Sequence, residues 1–467
     1  MQTSLIEKGN ISLEALFNVV PVYTGAAWTI AYARIDYAVG ENKVPIKVIK
    51  NCIASELVEI AKSNSWHISY RYGNTYIYNE EYWVKLEKTQ LIEFVKNVSI
   101  RMGVPKYEAA DIKFTKDLYE QLLHSGLFFT NTNPTDELLL NMQNGTLKIA
   151  DSSIELREFR HKDFLTHQLQ FTYDPMSTNQ EWLDFLEGIL PDEDSRRTLQ
   201  EALGSLLLKG LKLEKVIMLY GTGANGKSVI FEVLNGLLGE EAMSNYSLNS
   251  LTDSKGYHRA NLKDKLINYA SDIDLSKVDA GTFKTLVSGE PIECRLPYQE
   301  PFIMKSYAKM IFNLNSIESA KIEYTHGFFR RMLFIPFEVT IQKDKQDKKL
   351  AKRLLENKAG ILNWLLDGAR VVMKNEEIFE SQESKEFLLR FKSEPTTFEK
   401  FLLARQVMND STNTITSSEI YKQYVKMCLE ENKQPLSQIL FSKKMDKKGF
   451  NKQRVSKGIQ WQVSCTP

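Results

Sequence analysis

The feature that most constrains this chain is a glycine-rich segment, GTGANGKS, at positions 221–228. It follows an apolar run, KVIMLY at 215–220, and it precedes apolar residues that recur at helical spacing until Gly239. The order strand, glycine-rich loop, helix is the context that a phosphate-binding loop (P-loop) requires. Glycines let backbone N–H groups approach phosphate oxygens, and the helix N-terminus adds partial positive charge. The segment therefore predicts a nucleotide-binding site, and its correct flanks disfavour a chance match.

The two residues that end this motif are predicted to carry its chemistry. Lys227 is expected to reach the β and γ phosphates of ATP, and the Ser228 hydroxyl is expected to bind Mg²⁺. The other loop positions are expected to surround the phosphates, and they are Gly221, Thr222, Gly223, Ala224, Asn225 and Gly226.

Hydrolysis also needs an acidic residue at the end of a neighbouring strand, to organise Mg²⁺ and water. The run LINYAS at 266–271 reads as such a strand, and Asp272 follows it directly. Asp272 is therefore the predicted acid and metal ligand, and Asp274 is open as a second acid. The alternative is that both aspartates only cap a strand or begin the next helix.

A third apolar run, AKMIFNL at 308–314, is followed by Asn315. An amide at this position is suited to hold the attacking water against the γ phosphate. Asn313 competes for the role, because strand alternation directs its side chain to the same side as that of Asn315.

Paired arginines precede a further apolar strand within GFFRRMLFIPF at 327–337. Arg330 and Arg331 are candidates for an arginine finger that reaches the ATP of a neighbouring subunit, because guanidinium stabilises transition-state charge. A surface ion pair is the alternative, and the sequence does not decide which arginine acts.

The pattern along the chain predicts four regions. Residues 1–75 carry no assigned chemistry, and 76–205 read as a mixed, mainly helical module with a hairpin at Asn144-Gly145. Short apolar strands alternate with helical stretches within 206–385, which predicts an α/β domain with a largely parallel sheet. The polar stretch 376–395 is expected to link this domain to a winged helix at 396–467.

The C-terminal region carries the clearest local charge. From Ser437 to the end, one helix and one strand pair hold the basic residues Lys443, Lys444, Lys447, Lys448, Lys452, Arg454 and Lys457 against a single acid, Asp446. We interpret Lys443, Lys447 and Lys452 as DNA contacts, with a solvated surface as the alternative.

The amino-acid composition excludes some classes of protein but does not indicate a function by itself. The net charge is +1, so a nucleic-acid partner has to be argued from local patches. The four cysteines form no CxxC pair, and no apolar run approaches the roughly 20 residues that span a bilayer. These features predict a cytoplasmic protein that does not bind a membrane.

Five segments occur in the order found in superfamily 3 helicases: GTGANGKS, YASD, KTLVSGEPIECR, IFNLN and FFRRMLFIPF. Upstream stretches, among them YNEEYW, NMQNGTLKI, EWLDFL and LQEALGSLLL, resemble the module that precedes the motor in the poxvirus and phage/plasmid primase–helicase branch. The resemblance covers roughly residues 75–467. It implies an AAA+ motor that uses ATP and Mg²⁺, forms a hexameric ring around DNA and moves 3′ to 5′.

The resemblance also implies a hairpin that grips DNA inside the ring, here within 292–305. Its candidate contacts are Arg295, Tyr298 and Lys305, through phosphate attraction and base stacking. Glu300 at the tip fits a phosphate contact poorly, and an ordinary solvent-facing hairpin is the alternative. Residues 1–75 are expected to be too few for the primase domain that many relatives carry.

The predicted function is an ATP-dependent replicative DNA helicase of a phage, virus or mobile element, acting on single-stranded and forked DNA. A separate primase or replication initiator is a further candidate partner. The alternative function is an origin-binding, packaging or DNA-remodelling ATPase without processive unwinding. A regulatory ATPase that never binds DNA is disfavoured by the basic C-terminal region.

Overall fold

The computed structural model describes residues 13–38, 44–71, 74–124, 138–208, 210–263, 265–271, 275, 278–298, 300–315, 326–393, 396–431, 433, 435–455 and 458–466. The chain divides into two compact units, Met1–Tyr173 and Asp174–Pro467. The helical segment that ends at residue 205 therefore belongs to the second unit, with the sheet that follows it. None of the described helices is long and apolar enough to cross a bilayer.

The first unit combines helices with two small antiparallel sheets, in the orders β1-β2-β3 and β4-β5-β6. The predicted hairpin at Asn144-Gly145 is confirmed, because Met142 pairs with Gly145 across the turn. The elements are α1 (Gly25–Arg34), α2 (Ile46–Ser63), β1 (Ile68–Arg71), β2 (Asn74–Tyr78), β3 (Trp83–Leu86), α3 (Lys88–Arg101), α4 (Lys106–Ala109), α5 (Ile112–His124), β4 (Leu138–Met142), β5 (Gly145–Ile149) and β6 (Ile154–Arg157).

The second unit is built around a five-stranded parallel sheet, as the alternating pattern predicts. The strand order is β13-β7-β12-β9-β8, and all described pairings are parallel. Its elements are α6 (Gln180–Ile189), α7 (Glu193–Ser205), β7 (Val216–Tyr220), α8 (Lys227–Leu238), β8 (Met243–Ser244), α9 (Leu248–Leu251), α10 (Tyr257–Ala260), β9 (Ile267–Ala270), α11 (Ala280–Val287), β10 (Ile292–Cys294), β11 (Phe302–Met304), β12 (Lys309–Leu314), α12 (His326–Phe329), β13 (Met332–Pro336), α13 (Leu350–Leu354), α14 (Lys358–Asn375) and α15 (Gln382–Ser393).

Strand β7 lies between β13 and β12, with four of its five residues buried. A strand covered on both faces is expected to be continuously apolar, and VIMLY meets that requirement. The register pairs Tyr220 with Leu314 and with Pro336. These strands therefore end together, and the loops that leave them share one edge of the sheet.

Helices α7 and α14 cross at unusually close range beside the sheet. A Cβ built on Gly204 would lie 2.4 Å from the amide nitrogen of Ala369 and 2.5 Å from the carbonyl oxygen of Leu365. Gly368 makes the reciprocal approach, at 2.3 Å from the carbonyl oxygen of Gln200. Backbone atoms on both sides leave no flexible group to move aside, so the crossing requires glycine.

We therefore expect Gly204→Ala to lower the free energy of unfolding by roughly 1–3 kcal/mol, the range for overpacking. Gly188→Ala is the matched control, because Gly188 is an exposed helical glycine whose added Cβ would have no neighbour within 4 Å. That control should raise stability by roughly 0.5–1 kcal/mol. Equal denaturant midpoints for the two variants would contradict the close crossing.

The prediction that 376–395 is a polar linker is wrong. Residues 382–393 form α15, and the ring centroids of Phe387 and Phe391 each lie 5.2 Å from that of Phe334 in β13. Phe387, Leu388 and Phe391 recur at helical spacing and supply the apolar face. The charged residues between them masked this pattern in the sequence.

Residues 396–466 form a small helical and β subdomain. Its elements are α16 (Thr397–Ala404), β14 (Met408–Asn409), β15 (Ile415–Thr416), α17 (Ser417–Glu430), α18 (Gln438–Lys447), β16 (Lys452–Val455), β17 (Gly458–Trp461) and β18 (Val463–Ser464). The helix and the strand pair predicted after Ser437 are confirmed. The hydroxyls of Thr396, Thr416 and Ser437 accept backbone N–H groups at the three helix starts.

Candidate functional site

The loop after β7 is held between the two neighbouring strands. The Gly221 amide donates to the carbonyl oxygen of Leu314 at 3.0 Å, and the Phe337 amide donates to that of Tyr220 at 2.7 Å. A Cβ on Gly221 would meet Asn225 Nδ2 at 2.0 Å. Only glycine fits at this position, where the chain leaves the sheet.

The loop turns back on itself through left-handed backbone conformations. Gly223 has φ +114°, Ala224 has φ +50°, and Gly226, the N-cap of α8, has φ +84°. The carbonyl oxygen of Ala224 accepts the Ile341 amide at 2.6 Å, so the segment after β13 holds the loop from outside. A fixed loop at the start of a 12-residue helix attracts anions through its N–H groups and the helix dipole.

Lys227 is buried inside this loop rather than extended into solvent. Its ammonium donates to the carbonyl oxygen of Gly221 at 2.6 Å and to Asn225 Oδ1 at 2.9 Å, and 4% of the residue is exposed. Asn225 Nδ2 donates in turn to the carbonyl oxygen of Phe337 at 3.4 Å. These oxygen acceptors thus fix the lysine at the N-terminus of α8. The side chains of Thr222 and Ser228 are exposed beside it.

Strand β12 brings Asn313 against strand β9. Asn313 Oδ1 accepts the Tyr269 hydroxyl at 2.8 Å, and Asn313 Nδ2 donates to Ser271 Oγ at 3.2 Å. Burial raises the pKa of the Tyr269 phenol, which therefore stays protonated as the donor. Asn315 lies one residue beyond the strand and is exposed. The two asparagines therefore occupy different environments, and their catalytic roles stay predictions.

Sequence reasoning missed the residues that link β9 to the helix after the loop. The Tyr269 ring packs edge-on against Phe231 of α8, with centroids 4.8 Å apart. Tyr269 and Ser271 are two positions apart in the apolar run before Asp272, and this alternation was the available signal. The network connects the helix that follows the loop to the strand ends beside it.

The predicted acids Asp272 and Asp274 lie outside the described residues. Within the part of the chain that the structure describes, no group of three or more His, Cys, Asp and Glu residues is arranged to hold a metal ion. The predicted Mg²⁺ ligands Ser228 and Asp272 thus stay a prediction.

The two arginines before β13 differ in their exposure and in their contacts. The Arg331 side chain is 9% exposed, and it donates to Ser288 Oγ at 2.7 and 2.9 Å and to the carbonyl oxygen of Gly327 at 2.8 Å. Arg330 is 55% exposed, and its described ion pair is with Glu214 at 3.0 Å. Arg331 is committed to its own subunit, whereas Arg330 is available at the surface.

The predicted hairpin is confirmed as a short antiparallel pair, in which Glu293 faces Ile303. Tyr298 at its tip is fully exposed with φ +61°. Arg295 and Lys305 are also exposed. Arg295 follows β10 on the tip side, whereas Lys305 follows β11 at the base. The structure thus places Arg295 on the same side of the hairpin as the aromatic tip, and Lys305 at the other end.

The C-terminal lysines lie on α18 and the adjoining strand. Lys443 and Lys447 are exposed on the helix, and Lys452 forms an ion pair with Asp446 at 2.5 Å. Lys448 pairs with Glu399 at 3.2 Å. The C-terminal subdomain therefore has a basic surface, but acids of the same subdomain offset part of its charge.

These observations define a mixed α/β protein with a parallel five-stranded sheet, a glycine-rich loop at one sheet edge and basic side chains at other surfaces. Two protein families match parts of it. Residues 56–191 match the family described as D5 N terminal like, and residues 219–331 match a family of unknown function, DUF5906.

The chain is related to viral proteins named for DNA replication activities. Protein C962R of African swine fever virus (isolate Tick/Malawi/Lil 20-1/1983), whose name designates it a candidate primase, is 22% identical over 367 residues. Protein L207/L206 of Acanthamoeba polyphaga mimivirus, designated a candidate helicase, is 25% identical over 275 residues. These matches cover 70% and 57% of this chain, but only 38% and 27% of the two relatives.

The apo structure of the NrS-1 C-terminal region is similar over 88% of this chain and 99% of its own, at a TM-score of 0.45 and 14% identity. The relationship to viral replication proteins of the primase and helicase kind therefore rests on the sequence matches.

Proposed function

We propose that this chain is an ATP-driven DNA helicase of viral, phage or mobile-element replication, and that it works as a ring of identical subunits. The observation that carries the proposal is the position of Lys227, which is held by Gly221 and Asn225 at the start of α8. Phosphate oxygens would replace these two acceptors, so the lysine needs little rearrangement to bind them. Six subunits and 3′–5′ movement are the finer expectations.

The loop suits a polyphosphate because it is closely packed at Gly226 and open at Gly223. A Cβ on Gly226 would meet Ile189 Cγ2 at 2.9 Å, whereas a Cβ on Gly223 would meet nothing within 4 Å. Ser228, exposed at the same helix start, would bind Mg²⁺ together with Asp272. The metal would neutralise phosphate charge there. Asn315, exposed at the end of β12, would position the attacking water.

The arrangement of the sheet supports an arginine finger that acts between subunits. Arg330 precedes β13, and the loop at 221–226 lies beyond the opposite end of that strand. Five strand residues separate the two edges by about 17 Å at roughly 3.3 Å per residue. This separation supports a role for Arg330 at a neighbour's ATP rather than at its own, and a ring would supply that neighbour.

Two surfaces would bind DNA. Tyr298, Arg295 and Lys305 offer stacking and phosphate attraction on the β10–β11 hairpin. Lys443, Lys447 and Lys452 offer phosphate attraction on the C-terminal subdomain, whose helices and strand pair suit a winged helix. The names of the viral relatives agree with a nucleic-acid substrate.

Replacing Lys443, Lys447 and Lys452 together by alanine should flatten the dependence of duplex affinity on salt. Each phosphate contact contributes roughly −0.9 to the slope of log affinity against log salt, so the slope should change by about two to three. The Asp446 partner of Lys452 places the expected value nearer two. Basal ATPase without DNA should stay near normal. An unchanged slope would make these lysines a solvated surface.

Unwinding of forked DNA tests the proposed function itself. The wild-type chain should unwind a fork with ATP, and electron micrographs with an ATP analogue and the fork should show rings. DNA-stimulated ATPase without unwinding would favour the alternative, a DNA-remodelling ATPase. ATPase that does not respond to DNA would contradict both functions.

A further inference from the structure

A cavity lies at the sheet edge opposite the glycine-rich loop. Its volume is about 190 Å³, room for several water molecules at roughly 30 Å³ each. Three segments that are distant in sequence enclose it: 210–215 before β7, 286–289 at the end of α11, and 305–310 entering β12. None of the residues of the glycine-rich loop, all of which the structure describes, lines it.

The charged side chains that line this cavity, among the described residues, are all basic. They are Lys212, Lys215, Lys305 and Lys309. Acids lie behind this lining, because Glu214 pairs with Arg331, which binds Ser288. Glu380 pairs with Lys215 at 2.5 Å. Within the described part of the chain, Lys212 and Lys305 form no ion pair. At least two positive charges at the rim are therefore not offset.

A buried hydroxyl adds a donor. Ser288 is 3% exposed and lines the cavity, and its oxygen accepts two N–H groups of Arg331. An oxygen that accepts two charge-assisted hydrogen bonds has its own proton left to donate. Ser288 is thereby a polarised donor, fixed by the arginine behind it.

The end of α11 brings backbone carbonyl groups to the same place, which by itself would favour a cation. The Tyr307 hydroxyl covers them, because it lies 3.2 Å from the carbonyl oxygen of Thr285, 3.1 Å from that of Leu286 and 2.9 Å from that of Glu290. The full charges of the lysines therefore determine the sign of the cavity.

Lys309 is the innermost lysine. Its ammonium donates to the carbonyl oxygen of Leu211, and burial lowers its pKa to about 8. The titratable groups that face it in the cavity are Lys212, Lys215, Lys305 and Tyr307, and burial raises the pKa of the Tyr307 phenol. A buried cation beside other cations is stabilised by a bound anion.

We propose that this cavity is a second anion site, which binds a phosphate group between Lys212, Lys305 and the Ser288 hydroxyl. The phosphate is either free or part of a nucleic-acid backbone. Lys305 then acts at the cavity rim, at the base of the β10–β11 hairpin, rather than at the hairpin tip. Because Ser288 also binds Arg331, an occupied cavity lies one side chain from the residue that follows the proposed finger, Arg330.

Calorimetric titration of the full chain with inorganic phosphate at pH 7 tests the site. Lys227→Ala should retain this binding, because the glycine-rich loop lies at the other sheet edge. Adding Lys212→Ala and Lys305→Ala to that variant should weaken it at least about tenfold, the loss expected for one charge-assisted hydrogen bond. The exposed pair Lys374→Ala and Lys385→Ala, which does not line the cavity, is the charge-matched control. Equal phosphate affinity with and without the cavity lysines, or no binding by Lys227→Ala at millimolar phosphate, would overturn the proposal.

An oligothymidylate strand distinguishes the two sources of phosphate. Displacement of phosphate by the strand, together with weaker strand binding by the cavity variant, would place a nucleic-acid backbone in the site. Phosphate binding without competition would place free phosphate there. Because Lys227→Ala carries the measurement, the result does not depend on whether the chain hydrolyses ATP.

The pH dependence of sulfate binding supplies a check in which the ligand charge stays constant. Lys309 is charged below its pKa of about 8 and loses its proton above it. Affinity for sulfate should therefore be highest below pH 8 and fall as the pH rises to 9. The same affinity at pH 7 and pH 9 would contradict an anion placed in this cavity.

Discussion

Replacing Arg330 by alanine is expected to lower ATP turnover by about 10³–10⁵-fold, the range for loss of an arginine finger. The side chain is 55% exposed, and its described ion pair with Glu214 is a surface contact that contributes little to stability. The melting temperature should therefore stay near that of the wild type. Steady-state ATPase with saturating single-stranded DNA, next to a thermal unfolding curve, measures both quantities.

Arg331→Ala is the contrasting variant. Arg331 binds Ser288, Gly327 and Glu214 within its own subunit, so its removal leaves the buried Ser288 oxygen without its two donors. The expected first effect is a lower melting temperature, with a loss of roughly 1–3 kcal/mol for each buried group left unsatisfied. Full thermal stability of Arg331→Ala with loss of turnover would exchange the roles that we assign to the two arginines.

Mixing subunits tests whether the finger acts between chains. Arg330→Ala and Asp272→Ala proteins should each be inactive alone, and their mixture should regain part of the ATPase. Some interfaces in the mixture pair an intact acid with an intact arginine. Stable mixed rings with no recovered activity would argue that the arginine acts within its own subunit.

Lys227→Ala is expected to lower ATP turnover by at least about 10²–10³-fold, the loss measured for one donor that stabilises transition-state charge. The ammonium is held by two oxygen acceptors in the loop, and its removal leaves no other lysine of the motif to reach the phosphates. Because Gly221 and Asn225 lose their charged donor, a stability loss on the order of 1 kcal/mol should accompany it.

Lys348→Ala is the control for Lys227→Ala, because it removes one lysine charge from an exposed position. Its turnover and melting temperature should match the wild type. Binding of a fluorescent ATP analogue separates lost binding from lost chemistry. Turnover by Lys227→Ala within tenfold of the wild type would remove the loop from the mechanism.

Local sequence patterns determined many of the secondary-structure elements of this protein. The glycine-rich motif between an apolar strand and an amphipathic helix predicted where the loop begins and where α8 starts. The C-terminal helix predicted after Ser437 begins directly after that residue, whose hydroxyl caps it. These predictions succeeded because periodicity, glycine conformation and helix capping act over a few neighbouring residues.

The sequence left open every choice that depends on residues distant in the chain. Arg330 and Arg331 are adjacent and chemically identical, and the contact with Ser288, 43 residues away in the chain, distinguishes the buried Arg331. Asn313 differs from Asn315 because strand order places Tyr269 of β9 beside it. Helix α15 escaped prediction because charged residues interrupt its apolar positions, and only the contact with Phe334 of β13 reveals its apolar face.

The cavity shows most clearly the difference between what local sequence determines and what only the tertiary structure decides. Lys212, Ser288 and Lys305 belong to three segments with no common motif, and each segment alone reads as an ordinary turn. Parallel pairing of β7 with β12 brings the start of both strands to one edge, and α11 ends against them. The sequence by itself determined the loop and the helix that follows it, because those depend on local backbone preferences. Only the tertiary structure decided which charges are buried, paired or left facing one another, because electrostatic interactions depend on distance in space and on burial rather than on distance along the chain.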